Sequence, residues 1–296
     1  MTDPEEVGRE VRRLELTTRH LVRDVLAGAY LSVFRGRGIE FSEVREYEPG
    51  DDVRSIDWNV TARLGAPHVK RYVEERALTV VFVVDVSASS RFGSRVRTKR
   101  ALAAEVCAVL ALAAARNHDR VGALLFSDRP EAFIAPRQGR RQALRVIAEV
   151  VGREPEGRGT DLAAALDYLH PVLRRRAVLF VLSEFWSRES SAVPALAHAA
   201  QRHEVIAVQL LDARERELPR VGLLPMWEPE SGGWRHVDTD SEAVRAHFGR
   251  RMTEFDAALA RSFLAGGIDT VRLETGRPYA EPLLGYFRAR ERRLWR

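Results

Sequence analysis

Three short stretches of this sequence place oxygen donors where a cation could be held. The first is Asp85-Val86-Ser87-Ala88-Ser89, directly after the unbroken apolar run 78–84 (LTVVFVV). The second is Gly157-Arg158-Gly159-Thr160-Asp161, ahead of a stretch with helical periodicity. The third is Ser183-Glu184, after the apolar run 177–182 (AVLFVL). An aspartate followed by hydroxyls two and four residues later sets three oxygens on one side of an extended loop. Thr160 and Glu184 from neighbouring loops would complete a set of hard oxygen donors. Such a set suits magnesium or manganese, octahedrally coordinated and with water at the remaining positions. With few formal negative charges around it, the ion would stay electron-poor and accept a carboxylate brought by a partner, which is recognition without bond breaking. Each stretch also has a plainer reading: Ser87 or Ser89 as a turn or cap residue, Thr160 or Asp161 as the N-cap of the following helix.

Other chemistries find less support. A haloacid dehalogenase-type phosphatase needs a second acid two residues after the strand-end aspartate, and Ser87 stands there. No P-loop pattern occurs. Gly36-x-Gly38 lacks a third glycine and does not sit between a buried strand and a helix. His203-Glu204 is not followed by a second histidine at zinc-binding spacing, and the eight histidines are scattered. No serine-hydrolase elbow is present. The one cysteine, Cys107, lies among Val106, Ala108, Val109 and Leu110 and reads as a small buried hydrophobe. A metal-dependent phosphoester hydrolase stays as the alternative, with Glu184 as its nearest candidate base.

The elements that must position these residues follow from periodicity. Apolar, β-branched runs at 78–84, 121–126, 177–182 and 205–211 predict strands buried on both faces. Helical stretches are expected at 97–116, 140–151, 161–173, 193–202 and 242–264, with a short strand at 132–135, another at 269–273 and a helical tail. Segments 224–227 and 234–237 flank Ser231-Gly232-Gly233 and predict a hairpin. Upstream, 5–29 predicts a helix, and 30–34, 43–47 and 68–72 predict short strands in a turn-rich region. Alternating strands and helices give an α/β, doubly wound, mostly parallel sheet with helices on both faces. The expected division is residues 1–77, an N-terminal helix plus small β-rich subdomain, and 78–296, the α/β domain. In such sheets a ligand lies beyond the carboxyl ends of the strands, where all three donor stretches fall.

Composition narrows the class. The 296 residues hold 47 Lys+Arg against 42 Asp+Glu, a net +5, with 45% apolar and 30% charged residues. That balance is globular and excludes a mainly disordered chain. The longest apolar run, 106–115, is well short of the ~20 residues that span a bilayer. Acidic Asp3, Glu5 and Glu6 near the start do not resemble a secretory signal. The expectation is a cytoplasmic protein without a membrane span. Lys70 and Lys99 are the only lysines. The arginines are interleaved with acids, so nucleic acid is not the expected partner. The densest cluster is Arg288, Arg290, Arg292, Arg293 and Arg296, with Tyr286, Phe287 and Trp295 among them. Nucleic-acid binding through that tail is a second alternative, against a helix docked by its aromatic face.

The three donor stretches, extended to Gly159-Thr160-Asp161-Leu162 and Leu182-Ser183-Glu184-Phe185, resemble the metal-ion-dependent adhesion site of von Willebrand factor A domains. The upstream stretches Gly36-Arg37-Gly38-Ile39-Glu40-Phe41, Arg45-Glu46-Tyr47, Pro49-Gly50-Asp51-Asp52, Ile56-Asp57-Trp58, Thr61-Ala62-Arg63 and Val69-Lys70-Arg71 resemble a bacterial family catalogued as domain of unknown function 58. Together the motifs cover about residues 36–185. The resemblance implies an A-type domain, a divalent cation, no established enzymatic activity, and partnership with AAA+ ATPases of the MoxR class or their clients presenting an Asp or Glu. Asp85, Ser87 and Ser89 match the first motif and Thr160 the second. The third motif has aspartate where this chain has Glu184, whose extra methylene moves the carboxylate outward by ~1.5 Å. The charged residues upstream read as solvated ion pairs of small individual worth or, with Trp58 and Tyr72, as a partner-facing surface.

Overall fold

Strands buried on both faces form the centre of the molecule. The computed structural model describes residues 3–22, 27–34, 41–49, 51–72, 77–186, 192–228 and 233–294. The 36–40 part of the upstream motif, Gly50, Ser231, Gly232, Trp295 and Arg296 lie outside them. In chain order the elements are α1 (Pro4–His20), α2 (Ala27–Phe34), β1 (Phe41–Glu46), α3 (Trp58–Leu64), β2 (His68–Tyr72), β3 (Thr79–Asp85), α4 (Lys99–Arg116), β4 (Arg120–Phe126), β5 (Pro130–Gln138), α5 (Arg140–Gly152), α6 (Leu162–Val172), β6 (Val178–Ser183), α7 (Ala192–Ala200), β7 (Glu204–Leu211), β8 (Leu223–Glu228), β9 (Gly233–Asp238), α8 (Glu242–Ala265), β10 (Asp269–Glu274) and α9 (Ala280–Leu294).

The main sheet has six strands in the order β10-β7-β6-β3-β4-β5. Five are parallel, and β5 returns antiparallel to β4 at one edge. The two-residue period sorts its side chains between two cores. Val80, Phe82 and Val84 of β3 join Val178, Phe180 and Leu182 of β6 on the face covered by α4, α5 and α9. Val81 and Val83 join Leu179 and Val181 on the face covered by α6, α7 and α8. The chain leaves β3 toward β4 and β5, then crosses back to place β6 on β3's other side. The carboxyl ends of β3 and β6 therefore flank the switch point where a crevice opens.

One upstream expectation needs correcting. Residues 30–34 are not a strand but part of helix α2; of the expected helix 5–29, α1 covers the residues to His20, α2 begins at Ala27, and 23–26 lie outside the described residues. Tyr30, Val33 and Phe34 are all buried, a helical 3-and-4 spacing that an aromatic and β-branched stretch of five residues hides. Tyr30 and Phe34 pack edge-on against Phe287 of α9. The Tyr30 hydroxyl donates to Asp119, 2.9 Å away, whose other oxygen accepts the Leu78 N–H at the foot of β3. Helices α1 and α2 thus contribute Leu14, Tyr30 and Phe34 to the core that also holds Phe82 and Phe180. The small antiparallel pair β1–β2 carries a helix that periodicity did not suggest. Asp57 caps α3 by accepting the N–H groups of Asn59 and Val60, and Gly65 at φ 77° closes it; only glycine adopts that backbone freely. The 224–227 and 234–237 hairpin forms as expected, with Trp227 opposite Trp234.

Candidate functional site

Asp85 is the last residue of β3 and is buried. Its Oδ1 accepts the Ser87 N–H at 3.0 Å, and its Oδ2 accepts the Ser183 hydroxyl at 2.8 Å. The hydroxyls of Ser87 and Ser89 lie 3.1 Å apart. Ser90 fixes the turn by donating to the Ser87 carbonyl at 2.7 Å. Burial pushes the Asp85 carboxyl up to about 6, the bonds from Ser87 and Ser183 pull it down, and the charge of Glu184 pushes it up again. A carboxyl so placed has hydroxyl and amide partners but needs positive charge to ionise fully.

The second stretch reaches the first through the backbone. The Ala88 N–H donates to the Arg158 carbonyl at 3.4 Å, and the Asp161 N–H to the Ser127 carbonyl at 2.8 Å. Two acids hold this loop, Asp128 in the β4–β5 turn and Glu131 at the start of β5, and neither stood out in the sequence. Glu131 accepts the N–H groups of Glu156 (3.0 Å) and Gly157 (2.8 Å), and Asp128 those of Arg158 (3.2 Å) and Gly159 (3.3 Å). Burial would raise Glu131, but the Ser127 hydroxyl and these amides outweigh it and hold the carboxyl below its ordinary value. Gly157 is required by close approach: a Cβ there would lie 2.2 Å from both Ser127 Oγ and Asp128 Oδ1. Gly157→Ala is therefore expected to lower stability by about 1–3 kcal/mol, the usual cost of forcing atoms into a packed site, measurable as a drop in the denaturant midpoint. Thr160 lies half-buried in this loop, and Asp161 caps α6 by accepting the Ala164 N–H at 2.9 Å. Capping is thus the role of Asp161 among its two readings.

The third stretch departs from a simple donor set. Glu184 lines the same small crevice as Asp85, Ser89 and Ser183, but its carboxylate is ion-paired with Lys99 at the start of α4. Lys99 is 1% exposed and also pairs with Glu215, at 2.5 Å. Burial would lower the ammonium, yet the two carboxylates more than offset it and hold it above its ordinary value. Glu215 goes up to about 7, because burial and the charge of Glu184 outweigh its share of the one ammonium. The only hint of Lys99 in the sequence was its rarity. The Ser183 hydroxyl, bonded to Asp85 and to the Phe185 N–H (3.1 Å), joins the ends of β3 and β6. Phe185 turns the chain away at φ 56°, a backbone conformation that is rare for a bulky residue.

Asp212 at the end of β7 anchors the rest of the loop. It accepts the Ser94 N–H and hydroxyl, the Thr275 hydroxyl and the Arg214 N–H, at 2.5–2.9 Å. Among the described residues no group of three or more His, Cys, Asp or Glu could hold a metal ion. The candidate set is of another kind: Asp85 with the hydroxyls of Ser87 and Ser89, and Thr160 on a loop bonded to theirs. Hard hydroxyl and carboxyl oxygens beside a buried carboxyl suit a small divalent cation. Elsewhere, Trp58 is 67% exposed at the start of α3, and Cys107 is buried with its thiol pushed up by burial. The tail helix is docked: Tyr286, Phe287 and Arg290 are buried.

A mostly parallel sheet with helices on both faces, and an Asp-x-Ser-x-Ser loop at the end of a central strand, define a von Willebrand factor A-like domain. The chain belongs to the family described as a protein of unknown function, DUF58, whose profile matches residues 43–258. An uncharacterized protein of Mycobacterium tuberculosis is 36% identical over 298 residues, spanning 98% of this chain and 92% of that one. One of Mycobacterium avium is 31% identical over 161 residues, 53% of this chain and 90% of that one. Similar solved structures include BatB from Bacteroides thetaiotaomicron, with a TM-score of 0.46 and 12% identity over 73% of this chain and 100% of that one. The SpRpn10 VWA domain gives 0.39 and 9% over 71% and 94%. No helix among the described residues is long and apolar enough to cross a membrane.

Proposed function

We propose that the protein is a non-enzymatic interaction module that uses a divalent cation, magnesium or manganese, to bind an acidic residue of a protein partner. An A-like fold is that of a protein-interaction module. The finer reading rests on Asp85, a buried carboxyl at a strand end whose bonds come from Ser87 and Ser183, next to two hydroxyls 3.1 Å apart. Asp85, Ser87, Ser89 and Thr160 would hold the ion. When bound, the ion supplies an electrophilic point that a carboxylate can reach. By the family resemblance, the partner is a MoxR-type AAA+ ATPase or its client. The hydrolase alternative would use Glu184 as base, and that carboxylate is paired with Lys99. The nucleic-acid alternative would use tail arginines, of which Arg290 is buried against Glu204 and Asp269.

Calorimetric titration of magnesium is expected to give saturable heat with the native chain and none with Asp85→Ala. Equal heats in the two would remove the site. Co-purification with a MoxR-type ATPase is expected to fail in chelator; indifference to chelator would show that the contact does not pass through a metal.

A further inference from the structure

The buried ammonium of Lys99 is unlike the rest of the chain's positive charge. Arginine fills all but two of the 47 basic positions, yet lysine stands where a cation enters this crevice. Lys99 Nζ pairs with Glu184 from the end of β6 and with Glu215 after β7. It lies 5.8 Å from the centre of the Phe92 ring. The Lys99 N–H donates to the Phe92 carbonyl at 2.9 Å, so the loop carrying Ser87 and Ser89 curls back onto the residue that bears the charge. The side chain lines the crevice together with Asp85, Ser89 and Ser183. An ammonium is a compact point charge, whereas a guanidinium is a broad planar fork.

We propose that Lys99 is a resident cation that makes metal binding at this site conditional on a partner. The inference rests on the metal-dependent reading above and adds its regulation. Lys99 engages Glu184 and Glu215, and leaves Asp85 as the carboxyl that faces the hydroxyls. It also repels a second cation sharing the crevice, and between charges a few ångströms apart in a partly dry site that repulsion is strong. With Glu184 and Glu215 turned to Lys99, a divalent ion beside Asp85 has one carboxylate of this chain to touch. A carboxylate from a partner adds a second, so the ion is held weakly by the chain alone and firmly in the complex. The arrangement also gives the Glu-for-Asp replacement at position 184 a use: the longer side chain reaches the ammonium at the start of α4.

The test is manganese titration, followed by calorimetry and by the electron paramagnetic resonance signal of free manganese. Lys99→Met alone strands two carboxylates, so it is paired with Glu215→Gln, and circular dichroism confirms that the double variant is folded. The double variant is expected to bind manganese at least tenfold more tightly than the native chain. Adding Glu184→Gln to it is expected to reverse most of that gain, whereas Glu184→Gln in the native chain is expected to weaken binding far less than Asp85→Ala does. Equal affinity of native and double-variant chains would overturn the role of Lys99 while sparing the metal reading. Binding by neither chain would overturn both. A loss with Glu184→Gln as large as with Asp85→Ala would also overturn the inference, because Glu184 would then be a ligand that Lys99 does not withhold.

Discussion

Arg290→Ala is expected to remove about 3–5 kcal/mol of folding stability, the cost of breaking a buried ion pair from one side. The guanidinium bonds Glu204 at the start of β7 and Asp269 at the start of β10, and donates to the Tyr286 hydroxyl at 2.8 Å. It also sits 5.7 Å from the centre of the Phe34 ring of α2. Removing it takes a buried cation from both Glu204 and Asp269 at the foot of the sheet, and Arg293, 2.9 Å from Asp269, is largely exposed. The loss is expected in the urea midpoint with little change in slope, because the surface exposed on unfolding is the same. Arg290→Ala combined with Glu204→Gln is expected to recover part of it, since one stranded charge is gone. Arg293→Ala, at an exposed position of the same helix, is expected to cost less than about 1 kcal/mol. Equal losses for Arg290→Ala and Arg293→Ala would show that the tail arginines are a solvated cluster and not a fastening.

The contrast between those two arginines shows what the sequence made legible. Runs such as 78–84 and 177–182 can satisfy their side chains only inside a sheet covered on both faces, so β3 and β6 and the donors at their ends were readable from hydrophobicity alone. The Asp85, Ser87 and Ser89 spacing was readable because loop geometry after a strand is local. Partners far apart in sequence were not. Nothing in the pattern tells Arg290 from Arg293, or says that Lys99 would meet Glu184 and Glu215 across 85 and 116 residues. Helix α2 was misread because Tyr30, Val33 and Phe34 are apolar residues of high strand propensity whose helical spacing emerges only against α9. Helix α3 was missed although its signals are local: Asp57 as a cap and Gly65 as a stop, around a stretch too short for periodicity to register. The anchoring of the Thr160 loop by Asp128 and Glu131 escaped notice because acids in and next to a turn ordinarily read as solvated.

Asp85 carries an expectation that separates stability from function. Its carboxyl has a reference value of 3.8 and is pushed by burial to about 6 in the fold. An acid whose value is raised on folding binds its proton more tightly in the native state. Its contribution to stability is therefore complete below the unfolded value and is lost as pH rises through the folded one. A shift of about two units corresponds to ~3 kcal/mol at about 1.4 kcal/mol per unit. Glu215, raised from 4.5 to about 7, works in the same direction. The held-down carboxyls Asp128, Glu131 and Asp212 have ordinary values of 3.8–4.5, and they lose their contribution only below that range. His203 opposes: burial and nearby Arg202 lower it from 6.5, so its contribution is present above that value and lost as pH falls. In chelator, the native chain is thus expected to melt at a higher temperature near pH 5.5 than at pH 8. Asp85→Asn keeps an acceptor for Ser87 and carries no charge to desolvate. At pH 8 it is expected to be more stable than the native chain by about 2–3 kcal/mol, to keep the part of the rise between pH 8 and 5.5 that comes from Glu215 while losing the part from Asp85, and to gain nothing from added magnesium. The native chain is expected to gain stability with magnesium as the logarithm of its concentration above the dissociation constant. If the Asp85→Asn chain melts below the native one at pH 8 in chelator, the carboxylate is already balanced by the protein itself, and the case for a cation from outside falls.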